Sequence, residues 1–157
     1  MNTIIVLSAK YLFLISFVVT GIFFLSLSSE DRIKMLFVGV LSGVVSLILL
    51  KISSVFINDP RPFVINHVMP LIPHAPDNGF PSDHTLITMW LALVVFLNNR
   101  RAGIALIVIS LIVGTSRVMA LIHHPIDIIG SIVIATVSVW ASNIAITKLV
   151  KNAKKSL

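Results

Sequence analysis

IKMLFVGVLSGVVSLILLKISSVFI, residues 33–57, has no charge between Lys34 and Lys51 and runs directly into Asn58-Asp59-Pro60-Arg61-Pro62. At 1.5 Å of rise per residue, a helix over this stretch can cross a hydrocarbon core about 30 Å thick. Working outward, four other stretches read as spans: about Ile4 or Tyr11 to Leu27, Ser82 to Leu97, Ala102 to Ile122, and Ile126 to Thr147. Of these, Ser82–Leu97 is short. The first lacks a basic leader and a small-residue exit, so it reads as a span and not as a cleaved signal. Composition agrees: 57% of the 157 residues are hydrophobic and 11% are charged, against roughly a quarter charged in soluble domains. The expected fold is all-α, a polytopic transmembrane helix bundle of about five spans, forming one domain over residues 1–157. The absence of cysteine excludes disulfides, thiolate metal sites and cysteine nucleophiles.

The net charge of +6 follows topology and does not mark a nucleic-acid surface. Arg32 and Lys34 follow the first span, Arg100 and Arg101 the third, and Lys148, Lys151, Lys154 and Lys155 the fifth. By parity these groups share a side, and retention of positive charge makes that side, with the C-terminus, cytoplasmic. The opposite, outer side receives the long segment Asn58–Asp83 and the turn at His123–Pro125. It also receives all five histidines: His67, His74, His84, His123 and His124. A long loop in so small a chain is usually functional, and ionisable groups near the ends of apolar spans mark functional sites.

Three segments concentrate those groups. In Asp59-Pro60-Arg61-Pro62 two prolines restrict the backbone around Arg61, whose guanidinium suits phosphate oxygens; an arginine meeting lipid headgroups would read the same way. In Pro81-Ser82-Asp83-His84, Ser82 stands at the N-cap of a helix whose amides favour an anion, with His84 placed to give a proton. A plain capping serine beside an interfacial histidine is the ordinary alternative. In Ser116–Asp127, Pro125 opens a helix and Asp127 falls where it can bond one nitrogen of His123 and leave the other as a nucleophile. Asp127 could equally complement the helix dipole alone. No two histidines have the i, i+4 spacing of a helical metal site, so no metal and no cofactor are expected.

Together the segments resemble the three-part signature of the phosphatidic acid phosphatase type 2 superfamily, Lys-x6-Arg-Pro, Pro-Ser-x-His and Ser-Arg-x5-His-x3-Asp. Here the second part reads PSDH (Pro81–His84) and the third SRVMALIHHPID (Ser116–Asp127), so the match spans Lys51 to Asp127. The stretch Pro60–His84 is similar, more narrowly, to bacterial undecaprenyl-diphosphatases of the bacitracin-resistance type. The resemblance implies that His123 attacks phosphorus to give a phosphohistidine, that Asp127 orients it, and that His84 protonates the leaving group. It also implies that Arg61, Arg117, Ser82, Asp83, Lys51 and Ser116 surround the phosphate. The implied reaction takes undecaprenyl diphosphate to the monophosphate at the outer face of a bacterial inner membrane, recycling the carrier for envelope synthesis. The implied partners are that lipid diphosphate and the membrane lipids. Alternatives are phosphatidic acid or phosphatidylglycerol phosphate as substrate, a lipid phosphotransferase, and a lipid-diphosphate or bacitracin binder without catalysis. Two positions depart from the pattern. The family lysine would fall at Ser54, whereas the lysine present is Lys51, one helical turn earlier. Asp83 sets a carboxylate beside an anion site and is expected to pair with an arginine or to act on His84.

Overall fold

Ser28 divides the first two helices. In the computed structural model, which describes residues 2–153, α1 (Asn2–Ser26) and α2 (Ser29–Phe56) meet there, and the Ser28 hydroxyl accepts from the Asp31 amide at 3.2 Å. Such a cap satisfies one of the amides a helix start leaves open. Arg32 then turns back to donate to the carbonyls of Leu25 (2.9 Å) and Leu27 (3.1 Å), closing the end of α1. After α2 the chain is irregular from 57 to 82 except for the single turn α3 (Pro62–Ile65). It continues through α4 (Asp83–Phe96), α5 (Arg100–Met119) and α6 (Pro125–Ala153). Asn99 caps α5 by accepting from the Ala102 amide at 3.1 Å, and Pro125 opens α6 where its missing N–H costs nothing. Among the described residues there is no strand, only an isolated antiparallel bridge between Pro60 and Asn78.

Four helices, α1, α2, α5 and α6, are long and apolar enough to cross a membrane, so the chain is a multi-pass membrane protein. The fifth expected span corresponds to α4, an apolar helix shorter than the other four. At 14 residues α4 is about 21 Å long, short of the roughly 30 Å core. The reason is its position: α4 packs against α1, α2, α5 and α6, and no residue of it after Asp83 is exposed. A helix shielded by protein need not match the bilayer, because irregular backbone is tolerated at depth when other helices cover it.

The bundle wears its apolar side chains outward and its small polar ones inward. Ile22, Leu25, Val40, Leu47 and Val133 are exposed, whereas Ser16, Ser42, Ser110 and Ser138 are buried. Lipid gives no hydrophobic drive between helices, so close packing and hydrogen bonds must hold them. Trp90 Nε1 on α4 donates to Ser42 Oγ on α2 at 2.8 Å, and the hydroxyls of Thr88 and Ser110 bond at 2.8 Å between α4 and α5. Lys34 lies beside Leu97, Asn98 and Asn143, and Glu30 and Asp31 lie beside Thr147 and Val150. The basic groups at 32–34, 100–101 and 148–151 therefore gather at one end, and loop 57–82 and the α5–α6 turn at the other. Lys154 and Lys155 lie outside the described residues.

Candidate active site

His123 is delivered by a tight reversal. After α5 the Ala120 amide bonds the Ser116 carbonyl at 2.9 Å, Leu121 takes a left-handed conformation (φ 62°), and the Ile122 amide reaches back to Arg117 O at 3.3 Å. A branched residue there carries strain of about 1–3 kcal/mol. The turn buries Ile122 completely and drives His123 inward, where it is 2% exposed. His123 Nδ1 lies 2.9 Å from Gly79 O and 3.1 Å from Asp127 Oδ2. Both neighbours only accept, so Nδ1 carries the ring proton and Nε2 presents a lone pair. Asp127 also accepts the His124 amide at 2.9 Å on Oδ2. It stands on the first turn of α6, as the acid of a capping box does. The helix-capping role and the histidine-orienting role are thus one geometry.

Two guanidiniums face Nε2. Arg61 Nη1 lies 3.4 Å from it and Arg117 Nη2 lies 3.3 Å from it. Arg61 holds the N-cap position of α3 between its two prolines, and its side chain is fixed from several sides. Its Nε donates to Asp77 Oδ1 (2.7 Å), Nη1 to Ile122 O (2.7 Å) and Nη2 to Asn78 O (3.4 Å). Arg117, in the last turn of α5, donates to Ala9 O on α1 at 3.3 Å, while its buried Nε has no partner. Both arginines are 5% exposed.

A cavity of about 320 Å³ opens over this cluster, in the range of small-ligand sites. Lys51, Ser54, Arg61, Asp83, His84, Arg117 and His123 are on its wall. His84 stands on the first turn of α4 with its ring edge-on to Phe13, centroids 4.8 Å apart. Lys51 and Ser54 are both present, so the one-turn offset leaves the lysine within the same cavity. Ser82 and Ser116 are not on that wall. Ser82 holds the N-cap position of α4 but its side chain does not cap; fully buried, it accepts from Thr85 Oγ1 at 3.1 Å while its carbonyl takes the Ser131 hydroxyl at 2.8 Å. Ser116 borders an apolar groove between α1 and α5 with Ile5 and Thr115. Asp127 sits behind His123, and Asp83 forms no ion pair with either arginine.

Burial holds His123 below the ordinary histidine range, and the Arg117 and Arg61 charges act the same way against the opposing pull of Asp127. His74 is lowered too, by burial and then by Arg61. The bond from Arg61 keeps Asp77 ionised to lower pH than a free aspartate. Asp59 moves the other way: burial and the neighbouring Asp127 carboxyl raise it. Asp59, His124 and Asp127 bring donor or acceptor atoms within 4.8 Å of one another. Their contacts are largely mutual, with His124 Nδ1 at 3.0 Å from Asp59 Oδ2.

The family model of the PAP2 superfamily matches residues 31–151, from the first turn of α2 to the last turn of α6. The chain belongs to the PAP2 superfamily. Undecaprenyl-diphosphatase BcrC of Bacillus subtilis (strain 168) is 34% identical over 110 residues, covering 70% of this chain and 56% of that protein. The bacitracin transport permease protein BcrC of Bacillus licheniformis is 27% identical over 139 residues, 88% of this chain and 68% of that protein. A putative undecaprenyl-diphosphatase, YbjG of Escherichia coli (strain K12), is 32% identical over 85 residues, 54% of this chain and 43% of that protein. The match to the first of these thus spans about half of that relative's length.

In this PAP2 chain several site residues had no assigned role in the sequence reading. Asn78 ties the loop to α2: its Nδ2 donates to Ser54 O (3.0 Å) and Ile57 O (2.8 Å), and its Oδ1 accepts from the amides of Asp59 (2.9 Å) and Phe80 (3.1 Å). Gly79 supplies the carbonyl for His123, and a Cβ there would meet Asp127 Oδ2 at 3.0 Å and Asp59 O at 3.1 Å. The Asp77-Asn78-Gly79 run is a turn signal, and that signal marks where the chain bends without naming what it touches.

Proposed function

We propose that this chain is a lipid phosphatase that cleaves undecaprenyl diphosphate to undecaprenyl phosphate and inorganic phosphate through a phosphohistidine. One observation carries the reading: a buried imidazole whose Nδ1 proton is held by Gly79 O and Asp127, and whose Nε2 lone pair points between two guanidiniums at a cavity wall. The names of two relatives, an undecaprenyl-diphosphatase and a putative one, support the substrate.

In this mechanism the terminal phosphoryl group enters between Arg61 and Arg117, whose N–H groups move from Nε2 to its oxygens. Nε2 attacks phosphorus and the bond to the bridging oxygen breaks. His84 gives its proton to the departing lipid phosphate, and Asp127 stabilises the charge that develops on His123. Water then attacks the phosphohistidine, His84 takes its proton, and inorganic phosphate leaves with His123 restored. Phosphoryl transfer requires mainly positioning and charge stabilisation, which fixed cations supply without a metal. Lys51 on the wall adds a further positive charge. The site end of the bundle faces outward from a bacterial inner membrane, since the basic end is retained inside; the product is then available for reuse in envelope synthesis.

The test is inorganic phosphate release by the purified protein from undecaprenyl diphosphate, phosphatidic acid and phosphatidylglycerol phosphate, each in excess chelator. Release from the first, well above the others, is expected. Release only from a glycerophospholipid would reassign the substrate. Binding without release would make the chain a binder, and release restored only by a divalent ion would overturn the metal-free steps.

A further inference from the structure

Asp127 is the pivot of the site, yet only half of its carboxylate is accounted for. Oδ2 takes His123 Nδ1 and the His124 amide, whereas Oδ1 has no hydrogen-bond partner although Asp127 is 0% exposed. An ionised oxygen left bare in that setting is costly. One carboxyl oxygen of Asp59 lies within 4.8 Å of one of Asp127. Two carboxylates placed together would repel, unless one carries a proton and gives it to the other as a hydrogen bond. The remaining groups are arranged for that state. His124 Nδ1, 3.0 Å from Asp59 Oδ2, can donate to a neutral carboxyl, and the Asp59 backbone is clamped by Asn78 Oδ1 on its amide (2.9 Å) and the Gly79 amide on its carbonyl (2.8 Å).

Resting on the phosphatase reading above, we propose that Asp59 and His124 are positioning residues for Asp127. Asp59 stays protonated and donates to the Asp127 oxygen that His123 and His124 leave free, and His124 Nδ1–H fixes the Asp59 carboxyl from the other side. Asp127 then has donors on both oxygens and holds the His123 ring without drift. The titratable groups facing Asp59 are Asp127 on α6 and His124 on the turn before it. From the loop it meets Asn78 and Gly79, which are uncharged, while Arg61 is turned to Asp77. The upward shift of Asp59 agrees with a retained proton.

Asparagine copies a protonated aspartate, since its amide nitrogen donates and its oxygen accepts. Asp59→Asn is therefore expected to keep kcat within about threefold, whereas Asp59→Leu should lower kcat about tenfold to a hundredfold with KM unchanged, a cost typical of a displaced reacting group. An infrared titration of the purified protein reads the proton without any turnover. At about pH 6, some two pH units above an ordinary aspartate, the parent should show a protonated carboxyl band that Asp59→Asn removes. The proposal is overturned if Asp59→Asn loses as much kcat as Asp59→Leu, or if the parent lacks that band. A parent that releases no phosphate but shows the band would sink the phosphatase reading and leave the Asp59 proton standing.

Discussion

At the residue scale, the shared oxygen of Asp127 couples α6 capping to the orientation of His123, so the two roles can be separated by substitution. Asparagine can still cap, but it can no longer hold the Nδ1 proton with a full charge. We expect Asp127→Asn to fold and to lose about a hundredfold or more in kcat, as carboxylate removal does in other histidine-dependent sites. The pH dependence has a definite sign. In the proposed mechanism His123 attacks only when neutral, and its lowered pKa keeps it neutral to below the usual value of about 6.5. The acid limb of kcat/KM should therefore lie below that pH in the parent. It should move lower still in Asp127→Asn, because the carboxylate is the group that favours the protonated ring. An acid limb that moved upward would contradict the assignment. Lys51 supplies a second test, because it shares the cavity wall with Ser54, where the family pattern expects the lysine. Lys51→Met should fold and lose about tenfold in kcat/KM, roughly 1.4 kcal/mol of transition-state stabilisation; unchanged kinetics would make it an interface anchor.

At the scale of elements, α4 is the piece on which the site depends, because its first turn carries His84 and its flanks touch four helices. Its approach to α5 is set at Gly103, where an added Cβ would overlap the backbone of Phe96. Backbone cannot give way as a side chain can, so Gly103→Ala should destabilise by about 1–3 kcal/mol or more, the cost of overpacking. The measurement is the thermal midpoint of the detergent-solubilised protein. An unchanged midpoint would mean that the helices are not in that contact. The long helices could be read directly from uninterrupted apolar runs such as 33–57. The short length of α4 was partly legible, since the Ser82–Leu97 run is visibly brief; its central, lipid-shielded position was not, because a helix apolar on all sides gives no indication of which neighbours surround it. That Arg61, His84, Arg117 and His123 belong around one cavity, with Asp127 bonded to His123, was legible from the three motifs taken together and the family they resemble. The contacts that hold them were not: Arg61 meets Asp77 across 16 residues, His123 meets Gly79 across 44, and His124 meets Asp59 across 65. Such pairings are a property of the folded loop and leave no periodicity in the chain.

For the whole molecule, the proposed orientation rests on charge. The ends of α1, α4 and α6 and the starts of α2 and α5 share the basic end, and the site occupies the other. The native chain has no cysteine, so single cysteines report cleanly. Met69, 90% exposed in the long loop, should react as Met69→Cys with an impermeant thiol reagent applied to intact cells, whereas Asn99→Cys should stay protected. The reverse labelling would place the site inside. Orientation, the arginine pair and the held imidazole all serve one claim, that His123 Nε2 takes the phosphoryl group. The most direct measurement is rapid quenching of the purified protein with undecaprenyl diphosphate labelled in its terminal phosphate. We predict transient, acid-labile label on the protein, mapping to the peptide that carries His123 and absent from His123→Ala, which should not turn over. Steady turnover with no protein-bound label, together with a His123→Ala protein that still releases phosphate, would contradict the account.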